Sequence, residues 1–238
     1  MSAEAEQAER RERLIKLGSA TAFLAIVVVA VLIVIGQSQG DGGDASSIDD
    51  AAEVRRELGG IPQRGLVLGD PGAKVTLIEF GDLQCPVCKG YAEEVIPQVI
   101  QSKVRSGEAK LDFRNFTIID EESIDAAAAA IAAGQQGRGW DFVELFYRNQ
   151  GIEATGYVTD EFLTAVAEAA GVPDVEQWNA ARASNRVIDR VGAETAEAQR
   201  LGFSGTPSFA VEGPANGLET LGTPGSAGDL EAAVENAR

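Results

Sequence analysis

Residues 74–90 read KVTLIEFGDLQCPVCKG and contain the only two cysteines of the chain, Cys85 and Cys88. The run at 75–80 is short, apolar and rich in β-branched residues, which predicts a buried strand. From position 87 onward, apolar residues recur at 87, 91, 95 and 99, which is the spacing of one helix face. The cysteine pair therefore stands where a strand ends and a helix begins.

The start of a helix changes the chemistry of a thiol. Unpaired backbone N–H groups and the positive end of the helix dipole stabilise a thiolate there, so the thiol pKa falls. Cys85 is nearest the predicted helix tip and is the expected nucleophile, and Cys88, one turn further on, is the expected resolving cysteine. Lys89 lies one turn after Cys85, where its charge would help the thiolate, unless it is an ordinary solvated lysine.

A C-x-x-C pair also occurs in haem attachment sites, zinc sites, iron–sulfur clusters and structural disulfides. Haem attachment requires a histidine after the second cysteine, where this chain has Lys89. With two cysteines and no histidine, a four-ligand zinc or iron–sulfur site would need a dimer or carboxylate ligands. A disulfide over so short a loop stabilises little. Dithiol redox chemistry without a metal or organic cofactor is the favoured interpretation, and an inert disulfide is the alternative.

Composition restricts the possible partners and mechanisms. The 238 residues carry a formal net charge of −17, which argues against nucleic acid as a partner, because nucleic acid requires a basic surface. The absence of histidine excludes the usual serine and cysteine triads, which use it as the base.

The N-terminal residues have the pattern of a membrane anchor. Residues 1–16 are highly charged, and residues 17–36 carry no charge. A helix over 18–35 would be about 27 Å long, close to the hydrocarbon thickness of a bilayer. We expect 1–16 in the cytoplasm, 17–36 as an uncleaved transmembrane anchor and the remainder in an oxidising extracytoplasmic compartment. A cleaved signal peptide is the alternative, although the only candidate cleavage site, at 38–40, is poor.

Beyond the anchor, the chain is predicted to be an α/β domain that contains a helical block. Residues 37–60 are predicted to be a linker that ends in a short helix, and helical patterns alone fill 121–202. Pro97 should kink the helix that follows the cysteines. The expected strands lie at 64–68, 75–80, 109–117, 208–211 and 218–221, and the expected helices at 48–58, 87–106, 121–133, 140–148, 160–170, 173–183, 185–201 and 227–236.

Glu79 is a charged residue inside the apolar run TLIEF. A buried carboxyl resists ionisation, so its pKa would be raised. Placed below the dithiol, Glu79 would accept or deliver the proton of Cys88 during exchange. Alternation along the strand does not decide which face Glu79 uses if both faces are covered. A position at a solvent-facing edge is therefore the alternative.

Three segments resemble, in the same order, the DsbA-like thioredoxin-fold family in its membrane-anchored bacterial form. They are VTLIEFGDLQCPVCKG, the helical block at 121–202 and SGTPSFAVEG near the C-terminus. The resemblance covers residues 61–238. It implies a thioredoxin fold, a central mixed sheet flanked by helices, whose halves at 61–120 and 203–238 are separated by the inserted helical domain.

The resemblance also implies a function and the residues that perform it. It implies thiol–disulfide exchange with the thiols of exported proteins, with Cys85 as nucleophile, Cys88 as resolving cysteine and Glu79 as buried acid. It further implies that Pro207 follows a cis peptide bond and that Pro207 and its neighbour Thr206 both face the dithiol. A membrane thiol oxidase linked to quinones is the implied recharging partner.

One residue departs from the strongly oxidising members of that family, which carry C-P-H-C. Val87 occupies the third position here and cannot stabilise a thiolate as a histidine does, so we expect a weaker oxidant. Two alternatives to an oxidase remain open. One is a disulfide reductase or isomerase of the same fold, and the other is a non-enzymatic binding module with an inert disulfide.

Overall fold

The computed structural model describes residues 48–238, in which a six-stranded mixed sheet carries the fold. The strands are β1 (Gln63–Arg64), β2 (Val67–Leu68), β3 (Val75–Gly81), β4 (Ala109–Asn115), β5 (Ser208–Gly213) and β6 (Gly217–Gly222). Their spatial order is β1-β2-β4-β3-β5-β6; β3 and β4 are parallel, and the other neighbours are antiparallel.

Nine α-helices surround this sheet within the same described range. They are α1 (Ala51–Leu58), α2 (Pro86–Glu94), α3 (Ile96–Val99), α4 (Glu121–Gln135), α5 (Gly139–Arg148), α6 (Asp160–Ala169), α7 (Val175–Arg182), α8 (Asn185–Arg200) and α9 (Ala227–Asn236). The helices α4 to α8 lie between β4 and β5 in sequence. Their bounds differ from the predicted ranges by no more than two residues at either end.

Strand β3 lies at the centre of the sheet and is covered on both faces. Leu77 belongs to the large core cluster that includes Cys88, whereas Ile78 and Phe80 belong to a second cluster with Ala198 of α8. A strand covered on both faces needs apolar residues at almost every position, which explains its continuous apolar run. Alternation along the strand places Glu79 on the same face as Leu77.

The prediction of one strand at 64–68 was wrong. The structure has two strands of two residues, β1 and β2, which form a hairpin around Gly65 and Leu66. Gly65 has a φ of 62°, and glycine at the first central position is typical of tight hairpin turns.

The helical segment after the cysteines is interrupted near Pro97. Helix α2 ends at Glu94, α3 begins at Ile96, and Ile100–Val104 continues as a π-helix. Pro97 lacks the N–H that would bond the carbonyl oxygen of Glu93, four residues before it, and its ring clashes with that carbonyl, so the break occurs just upstream of Pro97.

Helix α5 ties the helical block to the edge of the sheet. The indole N–H of Trp140 donates to the carbonyl oxygen of Leu66 at 2.7 Å. The rings of Trp140 and Tyr147 pack on Phe113 of β4, with ring centroids 6.5 and 6.3 Å away.

Between residues 48 and 238, no helix is both long and apolar enough to cross a membrane. The predicted anchor at 17–36 and the charged segment at 1–16 lie outside the described residues.

Candidate active site

Cys85 is the N-cap residue of α2, so its sulfur lies at the start of the helix. The backbone of Cys85 is extended, and its Sγ accepts the backbone N–H of Cys88 at 3.4 Å. Pro86 occupies the first turn, where the missing N–H of proline leaves no bond unmade. Both cysteines carry free thiols. Cys85 is 7% exposed and Cys88 is 0% exposed, so an incoming thiol reaches Cys85 first.

The two thiols have opposite pKa shifts. A hydrogen bond from the Cys88 side chain lowers the pKa of Cys85 to about 6, with further help from the Thr206 side chain and backbone amides, against the effect of burial. Burial and the hydrogen bond to Cys85 raise the pKa of Cys88 well above its ordinary value. At neutral pH the pair therefore consists of a thiolate on Cys85 and a protonated thiol on Cys88.

The residues on either side of Cys88 in the sequence, Val87 and Lys89, are both at least partly exposed to solvent. Lys89 pairs with Glu93 at 3.8 Å, and both side chains are partly exposed. Lys89 therefore has the setting of an ordinary surface lysine, and hydrogen bonds lower the pKa of Cys85. Val87 is 52% exposed, so the third position of the motif presents an apolar side chain to solvent.

The loop before β5 lies against Cys85. The Thr206–Pro207 peptide bond is cis, and in its protonated form the Cys85 thiol donates to the carbonyl oxygen of Thr206 at 3.5 Å. Ser208 Oγ donates to the carbonyl oxygen of Gly205 at 2.7 Å, which holds the loop closed. Thr206 and Pro207 are thus brought to the dithiol from the far end of the chain.

Glu79 is 3% exposed, and its Oε1 has no hydrogen-bond partner in the described part of the chain. Burial raises the pKa of Glu79 to about 8, and the negative charges of Glu144 and Cys85 add to this rise. The charge of Glu79 in turn raises the pKa of Cys88. Because β3 is a central strand, the alternative of a solvent-facing edge position is wrong.

Sequence patterns did not indicate the roles of two polar side chains, Asp82 and Gln84, that lie between β3 and Cys85. Asp82 accepts the backbone N–H of Gln84 and that of Ile118, both at 2.9 Å. The Gln84 side chain donates to Ser123 Oγ at 3.1 Å and accepts the backbone N–H of Ala154 at 3.0 Å. These bonds fasten the segment before the nucleophile to α4 and to the loop that follows α5.

Helix α5 and the residues just after it supply three more hydrogen bonds that sequence patterns did not indicate. Tyr147 donates its hydroxyl to the carbonyl oxygen of Asp82 at 3.2 Å. Gln150 Nε2 donates to the carbonyl oxygens of Leu83 at 2.7 Å and Cys85 at 3.1 Å. The helical block therefore helps to position the reactive cysteine.

Sequence comparison relates this chain to a thioredoxin family and to a disulfide bond formation protein. A family model described as thioredoxin matches residues 63–232. "Probable disulfide bond formation protein D" of Bacillus cereus is 31% identical over 188 residues, which cover 78% of this chain and 84% of that protein.

Two solved structures are similar over most of their length. BdbD from Bacillus subtilis, in its oxidised form, has a TM-score of 0.65 at 22% identity and is matched over 74% of this chain and 97% of that one. A thioredoxin-like oxidoreductase from Silicibacter pomeroyi has a TM-score of 0.58 at 30% identity, over 81% of this chain and 98% of that one.

Proposed function

Because this chain belongs to the DsbA-like thioredoxin-fold thiol–disulfide oxidoreductases, we propose that its Cys85–Cys88 pair oxidises the thiols of exported proteins to disulfides. The observation that carries this proposal is the arrangement of the two sulfurs. Cys85 lies at the start of a helix as the more accessible thiol, and Cys88 is fully buried behind it. An accessible thiolate beside a protonated partner is what dithiol exchange requires.

In the oxidising direction, a substrate thiolate attacks Cys85 of the oxidised pair, and the bond to Cys88 breaks. Cys88 leaves as a thiolate and takes a proton from Glu79, the buried acid on the face of β3 that packs against the core cluster containing Cys88. A second substrate thiolate then attacks the substrate sulfur of the mixed disulfide, and Cys85 leaves. Its lowered pKa makes Cys85 a good leaving group. Thr206 and Pro207 flank the sulfur of Cys85 throughout.

The reduced pair must then be recharged. We infer from the family resemblance that a membrane thiol oxidase accepts its electrons. The chain would work beside such a partner if 17–36 spans the membrane, with 1–16 in the cytoplasm and 37–60 as a tether. The catalytic domain would then be extracytoplasmic.

The direction of electron flow is tested by titrating the dithiol against glutathione buffers. We expect a reduction potential between that of thioredoxin, about −270 mV, and that of DsbA, about −120 mV. The helix start stabilises the Cys85 thiolate, but Val87 adds nothing to it. Val87→His should raise the potential by about 30 mV or more, a tenfold change in equilibrium constant, and should lower the Cys85 pKa further.

Val87→Asn is the matched control, because it adds polarity at the same exposed position without a titratable charge. It should leave the potential close to that of the wild type. A wild-type value near −270 mV would replace the oxidase by a reductase or isomerase of the same fold.

The proposed topology predicts that protease added to intact spheroplasts digests the domain, while the protein remains in the membrane fraction. The reason is the basic flank before the uncharged run, which keeps the N-terminus in the cytoplasm. Protection of the domain, or a mature N-terminus near residue 40, would contradict an uncleaved anchor.

A further inference from the structure

A second buried carboxyl lies on α5, and the exchange chemistry above does not use it. Glu144 is 3% exposed. It lies on the same face of α5 as Trp140 and Tyr147, because it follows the first by four residues and precedes the second by three. The rings of both aromatic residues pack on Phe113. Glu144 therefore faces the same part of the sheet from between them.

Glu79 belongs to the same part of the sheet, and the charge of Glu144 acts on it. Phe113 is the register partner of Glu79 in the parallel pair of β3 and β4. Tyr147 contacts the carbonyl oxygen of Asp82, and Gln150 contacts that of Leu83. Helix α5 thus runs in the same direction as the chain from β3 to Cys85. Glu144 precedes Tyr147 by three residues and therefore lies on the Glu79 side of this contact, close enough for its charge to raise the pKa of Glu79.

On its other side, Glu144 borders a cavity of about 210 Å³. The remaining lining comes from α1, α3 and the π-helix: Glu57, Leu58, Pro97, Ile100 and Gln101. Since water occupies roughly 30 Å³ in the liquid, the cavity has room for several molecules. Glu144 therefore lies between a buried acid and a space that can hold water.

We propose that Glu144 and this cavity form the route by which protons pass between Glu79 and solvent during disulfide exchange. The inference rests on the proposed function and extends it. When the pair is recharged, the Cys85 thiolate attacks the partner's disulfide, and one partner thiolate leaves. Cys88 then gives its proton to Glu79 and attacks Cys85, and the second partner thiolate leaves. Glu79 passes the proton to Glu144, which releases it to water in the cavity.

The groups around Glu144 suit this role. Burial raises the pKa of Glu144 to about 8, Arg148 of the same helix opposes the rise, and Glu57 of α1 and Glu93 of α2 add to it. Glu144 is also the charged group that most raises the pKa of Glu79. Two neighbouring carboxyls that both titrate near neutral pH can exchange a proton in either direction at little energetic cost.

The test follows the full-length protein, reduced and in detergent, as it reacts with oxidised glutathione. Acid quenching and mass spectrometry separate the attack by Cys85 from the resolution by Cys88. In Glu144→Gln, the attack should keep its rate, and resolution should slow by about tenfold between pH 6 and 8. A tenfold slowing is smaller than the slowing expected on loss of a group that transfers the proton directly. Glu144→Asp, which keeps a carboxyl, should retain most of the rate.

Chemical rescue distinguishes a proton route from a packing role. In Glu144→Ala, added formate should restore resolution in a saturable way, because a small carboxylic acid can enter through the cavity. Asp141→Asn is the matched control. Asp141 is a buried carboxylate of the same helix that is bonded to Gln63 at 2.8 Å, so its loss should leave the pH profile of resolution unchanged.

The outcomes separate this inference from the function on which it rests. Wild-type resolution rates at every pH in Glu144→Gln, or no response of Glu144→Ala to formate, would overturn the proton route alone. If the wild-type protein itself formed no mixed disulfide with glutathione, that result would contradict the proposed function instead.

Discussion

Cys88→Ser should accumulate mixed disulfides with exported proteins, and Cys85→Ser should accumulate none. A substrate thiol or disulfide meets Cys85, which is the accessible thiol at the helix start, whereas Cys88 is completely buried. Serine at position 88 cannot attack the mixed disulfide, so the adduct persists. On non-reducing gels we expect nearly all of the adduct signal in Cys88→Ser and none in Cys85→Ser. The signal should disappear on treatment with a reductant.

The double variant with serine at both positions is the control for non-specific adducts. Alkylation of Cys85 in Cys88→Ser, followed against pH, verifies that the remaining thiol still reacts. Adducts from Cys85→Ser alone would reverse the two assignments. Their absence from both single variants would favour a binding module with an inert disulfide.

Glu79→Gln should make the folded protein more stable at pH 8 but slower in exchange. Below pH 4.5 the carboxyl is neutral in both the folded and unfolded states. Between pH 4.5 and about 8 it ionises only in the unfolded state, because burial raises the pKa of Glu79 to about 8. The wild type therefore loses stability as pH rises through this range, and glutamine removes an effect on the order of 5 kcal/mol at its limit.

Denaturant unfolding of the reduced protein at pH 5 and pH 8 measures this difference, which should be small at the lower pH. Resolution by Cys88 should slow by about a hundredfold, as is usual when a direct proton donor or acceptor is lost, and alkylation of Cys85 should stay near the wild-type rate. Asp141→Asn should instead destabilise at both pH values, because it removes the charge that pairs with Arg138 and strengthens the hydrogen bond from Gln63. An unchanged exchange rate across neutral pH would leave Glu79 with a structural role only.

Local sequence patterns were sufficient to predict much of this fold. The helices of the inserted block were predicted because their apolar spacing and their glycines are local signals, and α8 at Asn185–Arg200 begins where the pattern begins. Cys85 at the start of α2 follows from a strand pattern that changes directly into a helix pattern. The hairpin at 63–68 was missed because a single glycine with positive φ turns a run that otherwise resembles one strand.

The parts of the site that were not predicted depend on contacts between distant residues. Gln84 meets Ser123, and Gln150 meets Leu83, across separations of 39 and 67 residues, for which no periodicity gives a signal. Thr206 was placed near the dithiol by family resemblance and not by residue patterns. Lys89 has the setting of an ordinary surface lysine, which the sequence left open, because a glutamate one turn further along the helix pairs with it.

The bonds from the helical block to the reactive loop limit how far this domain can be made smaller. Tyr147 and Gln150 occupy the backbone carbonyls of Asp82, Leu83 and Cys85. A minimal version in which a short turn joins β4 to β5 would keep the strand order of the sheet. It would leave those carbonyls without hydrogen-bond partners, and Cys85 would lose the contacts that hold its backbone in place. The insertion is therefore not a detachable module, and engineering a compact oxidant from this scaffold requires replacement donors on another element.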